Sequence, residues 1–228
     1  VTLRLAIWDI DGTVVDSREV IQTAMERAFV TCDLEPPGYD ATRRLVGLDL
    51  ATVCATLAPQ LEGEALLRLI EAYKHAFISR RTEPDFIEPL YEGAVETLER
   101  LANENWLLAV ATGKARRGVQ ALFEMHPVAQ YFDTVWCADD GPGKPNPFMC
   151  EQAMAAVGAQ PGHSLIIGDA VHDMAMGRAA GIRCKGVAWG FGAADELEAA
   201  GADEVHHDFS TLNASLDRFG AALVSGEA

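Results

Sequence analysis

The sequence predicts a doubly wound, parallel α/β sheet interrupted by an all-helical insertion just after its first strand. Three observations lead there. From about residue 93 onward, short apolar runs alternate with segments of helical spacing, the pattern of βαβ units and a parallel sheet. A similar apolar run, residues 3–9, opens the chain and ends in acid and Gly, as a strand buried on both faces does. Between the two, residues 17–86 carry helical spacing only. The expected division is a Rossmann-like core of residues 1–16 and 87–228, with a helical domain at 17–86.

The elements follow in order. Residues 17–30 place Val20, Ile21, Ala24, Met25, Ala28 and Phe29 on one helical stripe. Glu35-Pro36-Pro37-Gly38 breaks it. Helices are expected at 41–45, 50–57 and 63–78, and again at 93–103, where Leu98 and Leu101 share a face. Then strands at 106–111, 134–137, 164–167 and 182–187 alternate with helices at 115–125, 147–157 and 174–180. Right-handed crossovers put helices on both faces of such a sheet. Ligands then bind in the crevice at the carboxyl ends of the strands.

Composition narrows the function classes. With 228 residues, 49% of them hydrophobic, the chain can bury a core without staples. Five scattered cysteines without a CxxC pair argue against a disulfide framework and for a reducing, cytoplasmic setting. The short apolar N-terminal run soon meets acidic residues and reads as a strand, not a signal peptide. No run reaches the roughly 18 apolar residues of a membrane span. Thirty-four acidic against 18 basic residues give a net charge of -16, unsuited to nucleic acid or anionic membranes. Taken as a whole, the same excess of acid is ill suited to a phosphorylated ligand.

The strand ends carry the chemistry. The first ends in Asp9-Ile10-Asp11-Gly12-Thr13. A strand has period two, so both carboxylates can project into one crevice. They repel unless a proton or cation intervenes, and a hard divalent cation suits such oxygen ligands. The second ends in Thr112-Gly113-Lys114, where a hydroxyl, an amide and a helix start offer an anion site. Lys144 sits between Gly143 and Pro145, a point charge on a stiff loop. The strand at 164–167 ends in Gly168-Asp169, and Asp173 follows at the start of a helix. Taken singly, each has an ordinary reading: an acidic turn, a common strand-to-helix turn, a loop lysine, an acid favoured by the helix dipole.

Together, Asp9-x-Asp11-Gly-Thr-x-x-Asp16-Ser17, Thr112-Gly113, Lys144-Pro145 and Gly168-Asp169-x-x-x-Asp173 resemble the motifs of the haloacid-dehalogenase superfamily of phosphohydrolases. Tyr91-Glu-Gly-Ala-Val-Glu-Thr-Leu and Ala179-Ala180-Gly181-Ile182 are similar to its phosphoglycolate-phosphatase-like group. The resemblance spans nearly the whole chain and identifies the insertion with that superfamily's helical cap. It implies a nucleophilic Asp9 that forms an aspartyl-phosphate and an acid–base Asp11. It implies Mg²⁺ held by Asp9, the Asp11 carbonyl and Asp169, supported by Asp173. Thr112, Gly113 and Lys144 would bind the phosphoryl oxygens. In the cap, Arg43-Arg44-Leu45-Val46-Gly47 is similar to a segment that reaches into the site. There Gly47 would allow close approach, and an arginine such as Arg43 would pair a substrate carboxylate or lie in solvent. Arg80-Arg81 are expected to face solvent.

The implied activity is hydrolysis of a small phosphorylated metabolite, with 2-phosphoglycolate first. A β-phosphoglucomutase-like transfer or another sugar-phosphate phosphatase needs the same carboxylate pair. A phospho-accepting signalling module would lack the cap and the second carboxylate after the acceptor. The charge divides in a way that fits a phosphate ligand. Residues 17–86 hold 8 basic and 11 acidic groups, whereas residues 192–228 hold 8 acidic groups and one basic. Much of the acidity is therefore remote in sequence from the motifs.

Overall fold

The computed structural model describes residues 3–86 and 88–225. The expected return to the core at residue 87 lies outside the described residues. Six strands, β1 (Leu5–Trp8), β2 (Leu107–Ala111), β3 (Thr134–Trp136), β4 (Ser164–Gly168), β5 (Arg183–Val187) and β6 (Glu204–His206), form one sheet among the described residues. Every pairing is parallel, in the order β3-β2-β1-β4-β5-β6. The chain builds outward from β1 to β2 and β3, then crosses to β4 on the other side. That reversal makes a crevice beside the end of β1. Trp8 is in register with Val110 and Ile167, so Asp9, Ala111 and Gly168 end three neighbouring strands at one level.

Among the described residues five helices separate β1 from β2, the first four being α1 (Arg18–Thr31), α2 (Tyr39–Arg43), α3 (Leu50–Leu57) and α4 (Gly63–Arg80). The remaining helices are α5 (Ala94–Asn103), α6 (Arg116–Met125), α7 (Phe148–Val157), α8 (Val171–Ala179), α9 (Ala194–Ala199) and α10 (Phe209–Ser225). The pleat of β1 divides the core. Ala6 and Trp8 pack with Leu98, Leu101, Leu122, Leu212 and Leu216 of α5, α6 and α10. Leu5 and Ile7 face Met149, Ala153 and Met174 of α7 and α8. Burial on both faces explains why these strands read as unbroken apolar runs.

The insertion has its own core, in which Met25, Ala28 and Phe29 of α1 meet Val53, Cys54, Leu69 and Ile70. All six stripe residues of α1 are buried. A smaller cluster of Val20, Ile21, Val46 and Phe191 joins the insertion to the loop after β5. The two connecting segments also pair with each other. Asp16 N donates to Pro89 O (2.8 Å), Tyr91 N to Val14 O (3.0 Å), and Val15 bridges Leu90.

Helix α8 begins at Val171, three residues earlier than its spacing suggests, which puts Asp173 inside the first turn. Three elements, α9, β6 and α10, were not anticipated. The three-residue β6, Glu-Val-His, is too short and polar to read as a strand. Helix α10 buries Leu212, Leu216 and Leu223 behind a sequence rich in Ser, Thr and Asn. The expectation for Arg80-Arg81 is corrected. Both side chains are largely buried, Arg80 among Glu19, Glu83 and Asp85, and Arg81 against Glu88. Their acidic partners offset the guanidinium charges, so burial is tolerated. No helix among the described residues is long and apolar enough to cross a membrane. All five cysteines are free thiols, four of them buried.

Leu98→Ala empties a fully buried position between α5 and the sheet. Urea denaturation is expected to show a loss of about 2–5 kcal/mol with an unchanged m-value.

Candidate active site

Three carboxylates converge at the crevice. Asp9 follows β1, Asp169 follows β4, and Asp173 rises from the first turn of α8. One oxygen from each lies within 4.8 Å of the others, and all three residues are buried. At an effective dielectric near 20, each like-charged pair at that range costs about 3 kcal/mol. Lys144 is the cation that answers them. Its Nζ lies 2.9 Å from Asp9 Oδ1 and 2.6 Å from Asp173 Oδ1, with both Lys144 and Asp173 side chains at 0% exposure. These are charge contacts at ion-pair distance without well-directed hydrogen bonds, so the three atoms keep unused bonding capacity.

The electrostatics follow from this crowding. Burial drives the Asp9 carboxyl upward. Lys144 opposes the rise and Asp173 adds to it. Burial, then Asp9 and Asp173, push Asp169 well above the usual carboxylate range. Burial works against the Lys144 ammonium, but Asp173 and Asp9 outweigh it and raise its pKa above the ordinary lysine value. One ammonium thus faces a group of three carboxylates and contacts two of them. A compact, all-oxygen, anionic donor set of this kind fits a hard divalent cation.

Neighbouring backbone and side-chain groups lock two of the carboxylates in place. Asp169 Oδ1 accepts from the Thr13 hydroxyl (2.8 Å) and Oδ2 from the Phe191 amide (2.7 Å). The Phe191 ring sits in the seam with the insertion, so one residue ties the carboxylate to both parts of the chain. Thr13 is held in turn by Trp189 Nε1, which donates to its carbonyl (3.1 Å). Asp173 Oδ2 accepts from Ala170 N (3.0 Å), a reciprocal bond at the start of α8. Gly12 has φ +83°, and a Cβ there would overlap the Asp169 carboxylate. Only glycine lets the chain turn against that side chain.

Asp11 takes a different direction. Its Oδ1 accepts from Lys114 Nζ at 2.7 Å, and its carboxylate does not join the trio. Thr112 is buried at the end of β2, where its Oγ1 accepts from Lys114 N (3.2 Å). The insertion closes over this end of the sheet. A Cβ on Gly113 would overlap the carbonyl oxygens of Gly47 and Leu48. Gly47 itself has φ +97°, and a Cβ there would lie 3.5 Å from Ala170 Cβ and 4.0 Å from Lys144 Cδ. Gly47 therefore does approach the strand ends.

Arg43 is placed otherwise than its expected substrate contact would need. Its Nη1 donates to Glu196 Oε2 (2.8 Å) and Phe191 O (3.1 Å), and its Nε to Asp40 Oδ1 (2.8 Å). The guanidinium is committed to protein acceptors and joins the insertion to α9. The bond from Arg43 and the Ala193 amide hold Glu196 down at about 2. His172 Nε2 donates to the Arg44 carbonyl (3.0 Å). The residues that sequence reasoning missed are Thr13, Lys114, Glu88 and Phe191. Lys114 directly follows Thr112-Gly113, which was the one available signal.

The family model described as haloacid dehalogenase-like hydrolase matches residues 6–187. The chain belongs to that family. It is 34% identical over 214 residues to a protein of Dickeya dadantii named probable phosphatase IndB, with 91% of each chain covered. It is 28% identical over 224 residues to a phosphoglycolate phosphatase of Pseudomonas putida, covering 92% of this chain and 78% of that one. Among solved structures, a hydrolase from Pseudomonas syringae superposes with a TM-score of 0.82 at 27% identity, covering 94% of this chain and 98% of that one.

A divalent cation should stabilise the protein by binding the trio. At about 100 times its Kd, linkage adds ~2.7 kcal/mol, a rise in Tm of about 5–10 °C for a chain of this size. The carboxyls of Asp9 and Asp169 are raised above 3.8. Without cation, the folded state therefore holds more protons than the unfolded one above that value, and stability falls as pH rises. The cation effect should be larger at neutral than at acid pH. Differential scanning fluorimetry with and without EDTA measures it, and Asp169→Asn should abolish it.

Proposed function

We propose that the chain is a Mg²⁺-dependent phosphatase that hydrolyses a small phosphomonoester through an aspartyl-phosphate on Asp9. The observation that carries the reading is the buried Asp9 at the end of the central strand, in contact with Lys144 and grouped with Asp169 and Asp173. A nucleophilic carboxylate needs such company, because phosphate is itself anionic. Mg²⁺ bound by Asp9, Asp169, Asp173 and the Asp11 carbonyl would neutralise charge as the two anions meet.

The chain's own groups supply the rest. Asp9 attacks phosphorus, a P–O bond to its carboxylate forms, and the bond to the leaving alkoxide breaks. Asp11 gives that alkoxide a proton, then takes one from the water that hydrolyses the acyl phosphate. Its separation from the trio supports this role, since a carboxylate that ligates a metal ion is a poor proton carrier, whereas Lys114 occupies only one of the Asp11 oxygens. Lys144, the Thr112 hydroxyl and the Gly113 amide receive the phosphoryl oxygens. The Gly47–Leu48 backbone packed against Gly113 restricts the space above the strand ends, which favours a small metabolite. The phosphoglycolate phosphatase among the relatives makes 2-phosphoglycolate the first substrate to try.

Phosphate release from p-nitrophenyl phosphate and a panel of phosphorylated metabolites, including 2-phosphoglycolate and glucose 1-phosphate, tests the proposal. EDTA should stop the release and Mg²⁺ restore it. Asp9→Asn should lose at least ~10³-fold in kcat with its circular dichroism unchanged. Appreciable turnover by that variant would remove Asp9 as nucleophile.

A further inference from the structure

The reading above leaves a buried chain of charges without a role. It runs from the end of α4 to the proposed acid–base group. Arg81 Nη2 donates to Glu88 Oε2 at 3.0 Å. Glu88 Oε1 lies 3.6 Å from Lys114 Nζ. Lys114 Nζ donates to Asp11 Oδ1 at 2.7 Å. The signs alternate along the whole row. Side-chain exposure is 14%, 0%, 7% and 11% in the same order. Groups this buried stay charged only when each has a partner.

The row also has a lid. The ring of Phe77, on α4, lies 5.0 Å from Lys114 Nζ and 5.0 Å from Arg81 Cζ. One aromatic group of the insertion thus touches the cation of the core and the cation that closes its own helix. Glu88 stands beside the paired connecting segments, one residue before the Pro89 carbonyl that accepts from Asp16. Its own carbonyl meets His126 Nε2 at 2.8 Å. The base of Lys114 is equally fixed. Its amide bonds to Thr112 Oγ1, and a Cβ on Gly118 would come within 3.0 Å of Lys114 Cγ, so Gly118 clears the path of its stem.

We propose that Lys114, buttressed by Glu88, is a positioning residue that fixes which oxygen of Asp11 faces the reacting centre. Phe77 and Arg81 make that position depend on the seating of the helical insertion. The inference rests on the acid–base reading of Asp11. Lys114 reaches the reacting atoms only through the Asp11 carboxylate, and it occupies one oxygen and leaves the other to carry the proton. Glu88 is needed because an ammonium with one carboxylate partner, on a flexible stem, has no reason to keep a single direction. Its unused Oε1 faces Lys114 and pulls the ammonium from behind.

Leaving-group dependence tests this. p-Nitrophenoxide departs with little need of a proton, whereas phenoxide is far more basic. A loss of proton delivery therefore shows on phenyl phosphate first. Lys114→Met keeps the stem and removes the charge. It is expected to lose at least about tenfold more kcat on phenyl phosphate than on p-nitrophenyl phosphate, with KM changed by less than about threefold. Glu88→Gln keeps the shape and should give the same pattern with a smaller loss, which covers the case of a misfolded Lys114 variant. Asp11→Asn is the reference. If Asp11→Asn hits both substrates equally, the acid–base reading of Asp11 falls. If Asp11→Asn discriminates while Lys114→Met and Glu88→Gln lower both substrates alike, the positioning role is overturned and the row is merely structural.

Discussion

Three carboxylates that repel one another inside a nearly dry crevice are the constraint around which this chain is arranged. Asp9, Asp169 and Asp173 come from β1, the end of β4 and α8, and only a sheet with β4 beside β1 brings them together. Lys144 makes the cluster tolerable without neutralising it. The residual negative charge is what a divalent cation, and through it a phosphoryl group, would meet. The surrounding loops are shaped to hold charge still: Thr13 and Phe191 on Asp169, and the Ala170 amide on Asp173. A preorganised cluster of this kind needs no reorganisation when charge shifts during a reaction.

The helical insertion takes part in the same arrangement. Its Gly47–Leu48 backbone lies against Gly113, Val46 packs with Phe191, and Arg43 reaches Glu196. Phe191 links these levels, because its ring lies in the seam while its amide holds Asp169. The seating of the insertion and the geometry of the carboxylates are therefore mechanically connected. The row from Arg81 to Asp11 provides a second connection, made of charge instead of apolar packing.

Much of this was legible in the sequence, for a physical reason. A parallel sheet buried on both faces writes its strands as apolar runs, and its function sits where those runs end. Asp9, Asp11, Thr112, Lys144, Asp169 and Asp173 could all be read that way. What escaped depends on partners distant in the chain. Lys114 reads as one more loop cation until Glu88 is seen behind it. Phe191 contributes a backbone amide, which carries no residue signature. Arg80 and Arg81 suggested a solvated face, because Glu19 and the buried Glu88, which pair with them, lie on other segments. Arg43 had the right chemistry for an anion, but Glu196 and Asp40 claim it first. The net charge of -16 conceals a division of labour. A few buried acids create the site, and most of the others lie elsewhere on the chain.

The central claim is that Asp9 carries the phosphoryl group between two steps. Its most direct measurement is a single turnover with enzyme in excess over p-nitrophenyl phosphate and Mg²⁺, quenched in acid before completion. Mass spectrometry then maps the peptides. The account predicts a transient phosphoryl adduct on the peptide bearing Asp9, formed as fast as p-nitrophenol appears and lost as phosphate is released. Phosphate appearing in step with p-nitrophenol, with no adduct at any time, would contradict it by making water the nucleophile.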